Sequence, residues 1–284
     1  MNRKTAIVTG TSSGFGMFCA LELAKAGFNV VCTMRNLDKA DNLLKLADEQ
    51  IVTDRIHLHP LDVTSAGSIK SFAAYINKFQ RIEVLVNNAG FALGGFSEEL
   101  TVYEYRMQFE TNFFGVISVT QAVLPIMRKS RTGRIINMSS ISGKFGFPGL
   151  SPYAASKHAL EGLSESLRLE LRPFGIDVVL VEPGSYKTNI WSSIDNMAIN
   201  PESPYRFYTE ALLNNIETGK GNHGDPLDVA RLVSKIAASS KTPKLRYSIG
   251  NGVKLSLILK AIVPWKLVES AIIRKLIGTR KGSH

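Results

Sequence analysis

A chain of 284 residues, 44% of them hydrophobic and 20% charged, can build one large domain and is too apolar for an intrinsically disordered protein. Its two cysteines, Cys19 and Cys32, exclude a disulfide framework and a cysteine metal cluster, so a reducing, cytoplasmic compartment and no metal are expected. The net charge of +10 raises a nucleic-acid or membrane partner, yet from Lys254 onward seven basic residues against one acid supply six of the ten excess charges. No aromatic-interleaved basic stripe accompanies them, and no nucleic-acid partner is expected.

Along the chain, apolar runs recur at Ala6–Val8, Val30–Val31, Ile56–Leu61, Val84–Val86, Arg134–Met138, Val178–Val181 and Leu245–Ile249. The first comes so early that no secretory leader is expected. Between the runs lie helix-patterned stretches at Gly14–Ala26, Leu37–Glu49, Ser65–Phe79, Tyr103–Arg128, Ser151–Leu171 and Pro226–Ala238. Strands with little polar alternation are covered on both faces, and strands separated by helices are joined by parallel crossovers. The pattern predicts an α/β fold, a doubly wound parallel sheet in a single domain with helices on both faces.

After the first strand the chain reads TGTSSGFG, with Gly10, Gly14 and Gly16 opening a helix. A glycine turn between strand and helix lets a pyrophosphate approach unpaired amides at the positive end of the helix dipole, so Ser12, Ser13 and Phe15 are also candidate contacts. The spacing G-x-x-x-G-x-G resembles the glycine pattern of short-chain dehydrogenases/reductases, a family with a Rossmann fold.

Where NAD-binding folds carry an acid after the second strand, this chain has Met34, followed by Arg35 and Asn36. A guanidinium can pair bidentately with a 2′-phosphate, so NADP(H) is the expected cofactor; the alternative is that Arg35 only caps the strand end. Asp62 and Val63 follow the third strand, and Asn88, Ala89 and Gly90 the fourth. The resemblance implies that such residues line the adenine pocket and steady the sheet, although Asp62 could equally cap a turn before Thr64.

Tyr153 and Lys157 stand four apart and share one helix face, Ser140 precedes Tyr153 by thirteen positions, and Asn112 precedes Ser140 by twenty-eight. Those spacings resemble the Asn-Ser-Tyr-Lys tetrad of the family's core branch. Carbonyl reduction leaves negative charge on oxygen that must be bonded and then protonated, and Tyr153 can donate the proton. A cation about 4 Å from the phenol contributes about 4 kcal/mol at an effective dielectric near 20, so Lys157 is expected to lower its pKa. The resemblance further implies that Lys157 holds the nicotinamide ribose, Ser140 polarises the substrate carbonyl, and Asn112 supports a water that relays protons. Taken singly, Ser140 could cap a strand and Asn112 could satisfy backbone at a helix irregularity.

Pro183 and Gly184 end the sixth strand, with Thr188 just beyond, and resemble the family's segment against the nicotinamide. Substrate contacts are expected from Phe91, Leu93, Phe96, Ser142, Phe145, Phe147, Leu150, Tyr186 and Trp191, a mostly apolar set suited to a hydrophobic carbonyl or alcohol. Residues 1–252 are therefore read as one dinucleotide-binding catalytic domain with a substrate loop at 185–224, and 253–284 as a C-terminal helical extension. That extension is expected to cover the pocket or pack against a subunit, with attachment to an anionic membrane surface as the lesser alternative.

Met34-Arg35-Asn36 and the extension resemble the hydroxysteroid and retinol dehydrogenase-like branch. The resemblance implies an NADP-dependent carbonyl reductase or alcohol dehydrogenase, assembled as a homo-oligomer (dimer or tetramer) through the helices at 103–128 and 151–171. The alternative is a catalytically silent NADP-binding sensor.

Overall fold

The computed structural model describes residues 4–188, 190, 201–219 and 223–277. Within them the apolar runs become β1 (Thr5–Thr9), β2 (Asn29–Met34), β3 (Ile56–Pro60), β4 (Val84–Asn87), β5 (Gly133–Met138), β6 (Ile176–Pro183) and β7 (Arg246–Ile249). All pair in parallel in the order β3-β2-β1-β4-β5-β6-β7. From β1 the chain winds outward to β2 and β3, then returns to β4 on the other side. The connections that leave β1 and β4 therefore pass to opposite faces of the sheet, and the crevice between such connections is where ligands bind in such sheets.

Side chains alternate across the sheet with the period of two that a strand imposes. Ala6 and Val8 pack with Leu21 and Leu23 of α1 (Gly14–Lys25), Leu43 of α2 (Asp41–Glu49) and Val229 and Val233 of a later helix, residues 226–238. Ile7 points the other way, into a core with Phe72 and Ile76 of α3 (Ala66–Ile76), Leu85, Ile135, and Val119 and Met127 of a helix at residues 115–130. Both faces are thus covered, and the doubly wound architecture expected from the sequence is observed.

The stretch expected as one helix from Tyr103 to Arg128 is instead α4 (Val102–Phe109), one π turn (Glu110–Phe114) and α5 (Gly115–Ser130). A capping box between Thr101 and Glu104 starts α4 earlier than the apolar spacing indicates. The π turn carries one residue more per turn and swings Asn112 inward, where its side chain meets the Phe91 backbone. Gly115 lets the chain continue, because a β-carbon there would fall 2.8 Å from Val63 Cγ2.

The remaining helices are α6 (Ser151–Leu171), α7 (Arg206–Gly219), α8 (Pro226–Ala238), α9 (Val253–Ile262) and α10 (Trp265–Ile277). The expected substrate loop at 185–224 therefore contains a helix, α7, which packs with α10. No helix of the described residues is long and apolar enough to cross a membrane.

Candidate active site

Two glycines shape the first loop. Gly10 has φ +69°, a conformation that L side chains rarely adopt, and a β-carbon on it would lie 2.9 Å from Ala89 Cα. Gly16 is packed more tightly still, because a β-carbon there would overlap the Gly10 carbonyl oxygen and Asn88 Nδ2. It sits behind the loop and lets α1 start against it. Ser13, the N-cap, makes no side-chain capping bond, and the first turn of α1 holds no acid. Ser12, Ser13, Gly14 and Phe15 form the adjoining wall of a cleft of about 410 Å³.

That cleft runs along the carboxyl ends of the strands. Arg35 lies exposed at its edge after β2, with Asp62 and Val63 beside it, after β3. Burial works against the Asp62 carboxylate, yet hydrogen bonds from the Thr64 amide and hydroxyl, with Arg35 nearby, hold its pKa below the usual range. Asp62 thus shapes a turn and also faces the cleft. Asn36 is not part of the wall: its side chain accepts from the Asp38 amide and caps the short turn that follows.

After β4, Asn88 ties this strand to the glycine loop by donating to the carbonyls of Thr9 (2.9 Å) and Gly10 (3.1 Å), while Thr9 Oγ1 accepts from the Asn88 and Ala89 amides. Ala89 and Gly90 are left facing the cleft. Pro183 and Gly184 close the wall at the end of β6, and Gly184 is fixed by donating to the Ile249 carbonyl at 2.9 Å. Thr188 Oγ1, in the same wall, is buried with no hydrogen-bond partner among the described residues. Open amides at a helix N-terminus and a buried hydroxyl awaiting a partner can hold a diphosphate-bearing ligand.

At the far end, Ser140, Tyr153 and Lys157 line the cleft together. Ser140 follows β5, and its Oγ accepts from the Ser142 amide at 3.1 Å while also hydrogen-bonding the Tyr153 hydroxyl. The pair Tyr153 and Lys157 lies on the buried face of α6, as the spacing of four predicts. The expected electrostatic effect does not follow. Burial pushes the phenol up to about 12, opposed by the Ser140 bond, and pushes the Lys157 amine down to about 8. The reason is geometric: Lys157 Nζ donates to the Met138 carbonyl at 2.7 Å and sits 5.7 Å from the Tyr153 ring centre, in surroundings with little water to solvate either charge.

Asn112 is buried one layer back. Its Oδ1 accepts from the Phe91 amide at 3.1 Å, and its Nδ2 donates to the Phe91 carbonyl at 2.9 Å and to Ser156 Oγ at 3.4 Å. The side chain thus fixes backbone at a helix irregularity, while the neighbouring Thr111 reaches the wall. Among the residues expected to meet substrate, Phe91 and Tyr186 line the cleft, and Tyr186 packs edge-on against Phe15 with ring centres 5.5 Å apart.

Leu93, Phe96, Ser142, Phe145, Phe147 and Leu150 stand outside the wall of the cleft. The Leu93 amide donates to Gln108, and Phe96 stacks on Tyr205 just before α7 at 4.7 Å. Ser142 is buried in the Ser140 turn, Leu150 bridges to Gly95, and Phe145 lies beside Phe147 and beneath the Lys260 amine of α9. Trp191 lies outside the described residues. Among the described residues no group of three or more metal-type side chains is gathered.

One cluster escaped the sequence reading. Glu161, one turn beyond Lys157, accepts from Ser139 Oγ at 2.6 Å and pairs with Lys144 at 2.8 Å and Arg246 at 2.9 Å. Arg246 also pairs with Glu165 and, at 3.4 Å, with the buried Glu182, whose carboxyl burial raises. The spacing of four from Lys157 to Glu161 was the available signal; Arg246, on β7, had none nearby.

Comparison with known proteins agrees with this geometry. The family model for short chain dehydrogenase matches residues 4–198. The uncharacterized oxidoreductase YusZ of Bacillus subtilis is 50% identical over 281 residues, covering 98% of this chain and 100% of its own. A 3-ketodihydrosphingosine reductase of Bacteroides thetaiotaomicron is 37% identical over 254 residues, covering 88% and 89%. The solved structure of ElxO with NADP bound is 30% identical, with a TM-score of 0.74, covering 89% of this chain and 99% of that one. With a parallel seven-stranded sheet and a glycine loop facing a Ser-Tyr-Lys group across one cleft, the chain is an oxidoreductase of the short-chain dehydrogenase family.

Proposed function

We propose that this oxidoreductase exchanges a hydride between NADP(H) and an apolar ketone, aldehyde or secondary alcohol, with Tyr153 as the general acid and base. The observation that carries this reading is the single continuous cleft that has the amides of α1 at one end and Ser140, Tyr153 and Lys157 at the other. Thr188 and the amides around Gly14 would hold the diphosphate, Ala89, Gly90, Pro183 and Gly184 the rest of the dinucleotide, and Arg35 a 2′-phosphate. When bound, the cofactor supplies or accepts the hydride.

The chain's own groups handle the oxygen. Ser140 Oγ and the Tyr153 hydroxyl hydrogen-bond the substrate carbonyl, and as negative charge develops there the phenol delivers its proton. Lys157, held by the Met138 carbonyl, stabilises the phenolate that remains. Asn112 positions Phe91 at the substrate end. Phe91 and Tyr186 in the wall of the cleft, and the likeness to a 3-ketodihydrosphingosine reductase, support a ketone borne on a long apolar chain. The likeness to ElxO with NADP bound, together with the absence of an acid at Met34, supports NADP(H) over NAD(H).

Exposed Tyr103 and Met107 on α4, Phe114 in the π turn that follows it, and Leu169 on α6 support a homo-oligomer built through residues 103–128 and 151–171. Incubation with NADPH and a panel of short-chain, aromatic and long-chain ketones tests the reaction by loss of the reduced-nicotinamide absorbance. Turnover of an accepted ketone should fall by about a hundredfold or more in Tyr153→Phe. Wild-type turnover in that variant would remove Tyr153 from the reaction, and tight NADP binding with no turnover across the panel would favour the silent sensor.

A further inference from the structure

Helix α9 is mounted with its apolar stripe facing water. Leu255, Ile258, Leu259 and Ile262 recur at the i, i+3, i+4, i+7 spacing of one helical face, and all are exposed, Ile258 by 59% and Ile262 by 72%. A helix on a water-soluble protein ordinarily turns such a stripe toward the core. Here the inward side is set by other residues. Val253 is buried against Gly184 and Gly250, and Lys260 sets its amine over the Phe145 ring and donates to the Lys144 carbonyl.

Beyond Pro264, Trp265 and Leu267 at the start of α10 are exposed as well. On α9 and α10 the exposed Lys254, Lys266 and Arg274 stand against one exposed acid, Glu269, so the excess charge is positive. Charge decides which partner fits. A second copy meeting this face about a two-fold axis would set the positive excess against itself, whereas anionic lipid headgroups complement it. No helix of the described residues can cross a bilayer, so the arrangement suits an element lying in the interface, with a tryptophan at headgroup depth.

We propose that α9 and α10 form a peripheral docking face for an anionic lipid bilayer, with Leu255, Ile258, Leu259, Ile262 and Trp265 inserted at the headgroup boundary and the basic side chains on the headgroups. The inference goes beyond the proposed hydride chemistry and does not rest on it. Because α9 starts beside Gly184 and crosses the Phe145 segment, docking would hold the rim of the cleft near the lipid surface.

The full chain is tested by flotation with vesicles of phosphatidylglycerol and phosphatidylcholine, and with phosphatidylcholine alone. Partitioning should be at least about tenfold stronger to the anionic vesicles and should weaken with added salt. The double variant Ile258→Ser, Ile262→Ser, altered only at exposed positions, should keep its melting temperature and lose about tenfold or more of the vesicle binding. Failure of the wild type to bind anionic vesicles at low salt, or binding that survives the double substitution, would overturn the proposal. So would light scattering in which that variant dissociates an oligomer of the wild type, since a second copy would then own the face.

Discussion

The Lys157 amine is hydrogen-bonded at 2.7 Å to the carbonyl of Met138, the last residue of β5. The strand therefore aims the cation at the cleft, and burial leaves that amine with a pKa of about 8 beside a phenol pushed up to about 12. A lysine whose pKa is lowered keeps its charge below about 8 and loses it as pH rises through that value. In the proposed reaction, reduction needs a protonated phenol, which persists throughout, and a cation to stabilise the phenolate. Its rate should be level below about pH 8 and fall above it, while alcohol oxidation, which needs the phenolate, should rise with pH. A pH profile of kcat in both directions checks this, and a reduction rate flat across about pH 7 to 10 would refute it.

Glu161 supplies the opposing influence on the same amine, because its carboxylate favours the charged lysine. In Glu161→Gln the lysine should lose its proton more easily, so the alkaline limb of the reduction profile should move to lower pH. Ser139 Oγ keeps an acceptor but loses a charged one, and Lys144 and Arg246 lose their shared partner, at a cost of about 1–3 kcal/mol in urea unfolding. A residue that served only to hold the fold would lower the rate at every pH without moving the limb.

These two effects show where sequence reading stops. The sheet was legible because strands covered on both faces lose polar alternation, and the cleft because parallel strands end on one side. Ser140, Tyr153 and Lys157 converge because β5 and the first turns of α6 meet there, and a spacing of four on a helix is a local fact. How far water is excluded from those groups is not local, and burial raises the phenol that the spacing alone suggested a cation would lower. The π turn that carries Asn112 depends on contacts with Phe91 and Val63 from elsewhere in the chain. Arg246 reaches Glu161 across 85 positions. The stripe on α9 could be read from its spacing, but only the docking of Val253 and Lys260 shows which side faces water.

Arg35 stands exposed at the cleft edge near Asp62, the position from which a guanidinium can meet a 2′-phosphate. In Arg35→Ala, NADP(H) affinity should weaken by about tenfold to a hundredfold, corresponding to about 1.5–3 kcal/mol for a hydrogen bond between charged groups. NAD(H) affinity should change little. Calorimetric titration of both cofactors separates the outcomes: equal losses would indicate a damaged loop, and no loss for NADP would remove Arg35 from recognition.

Gly16 offers a test of the loop without altering any polar group. An added β-carbon would overlap the Gly10 carbonyl oxygen and Asn88 Nδ2, and Asn88 cannot yield freely because it also bonds the Thr9 carbonyl. Relief must come from shifting α1 away from the loop. Gly16→Ala should cost about 1–3 kcal/mol of stability, as overpacking does. It should weaken cofactor binding by about tenfold or more, because the amides of the first helical turn move from the position a diphosphate requires. Urea unfolding and cofactor titration on the same variant measure the two losses. If stability fell while cofactor affinity stayed at the wild-type value, the first turn of α1 would have no part in holding the phosphates.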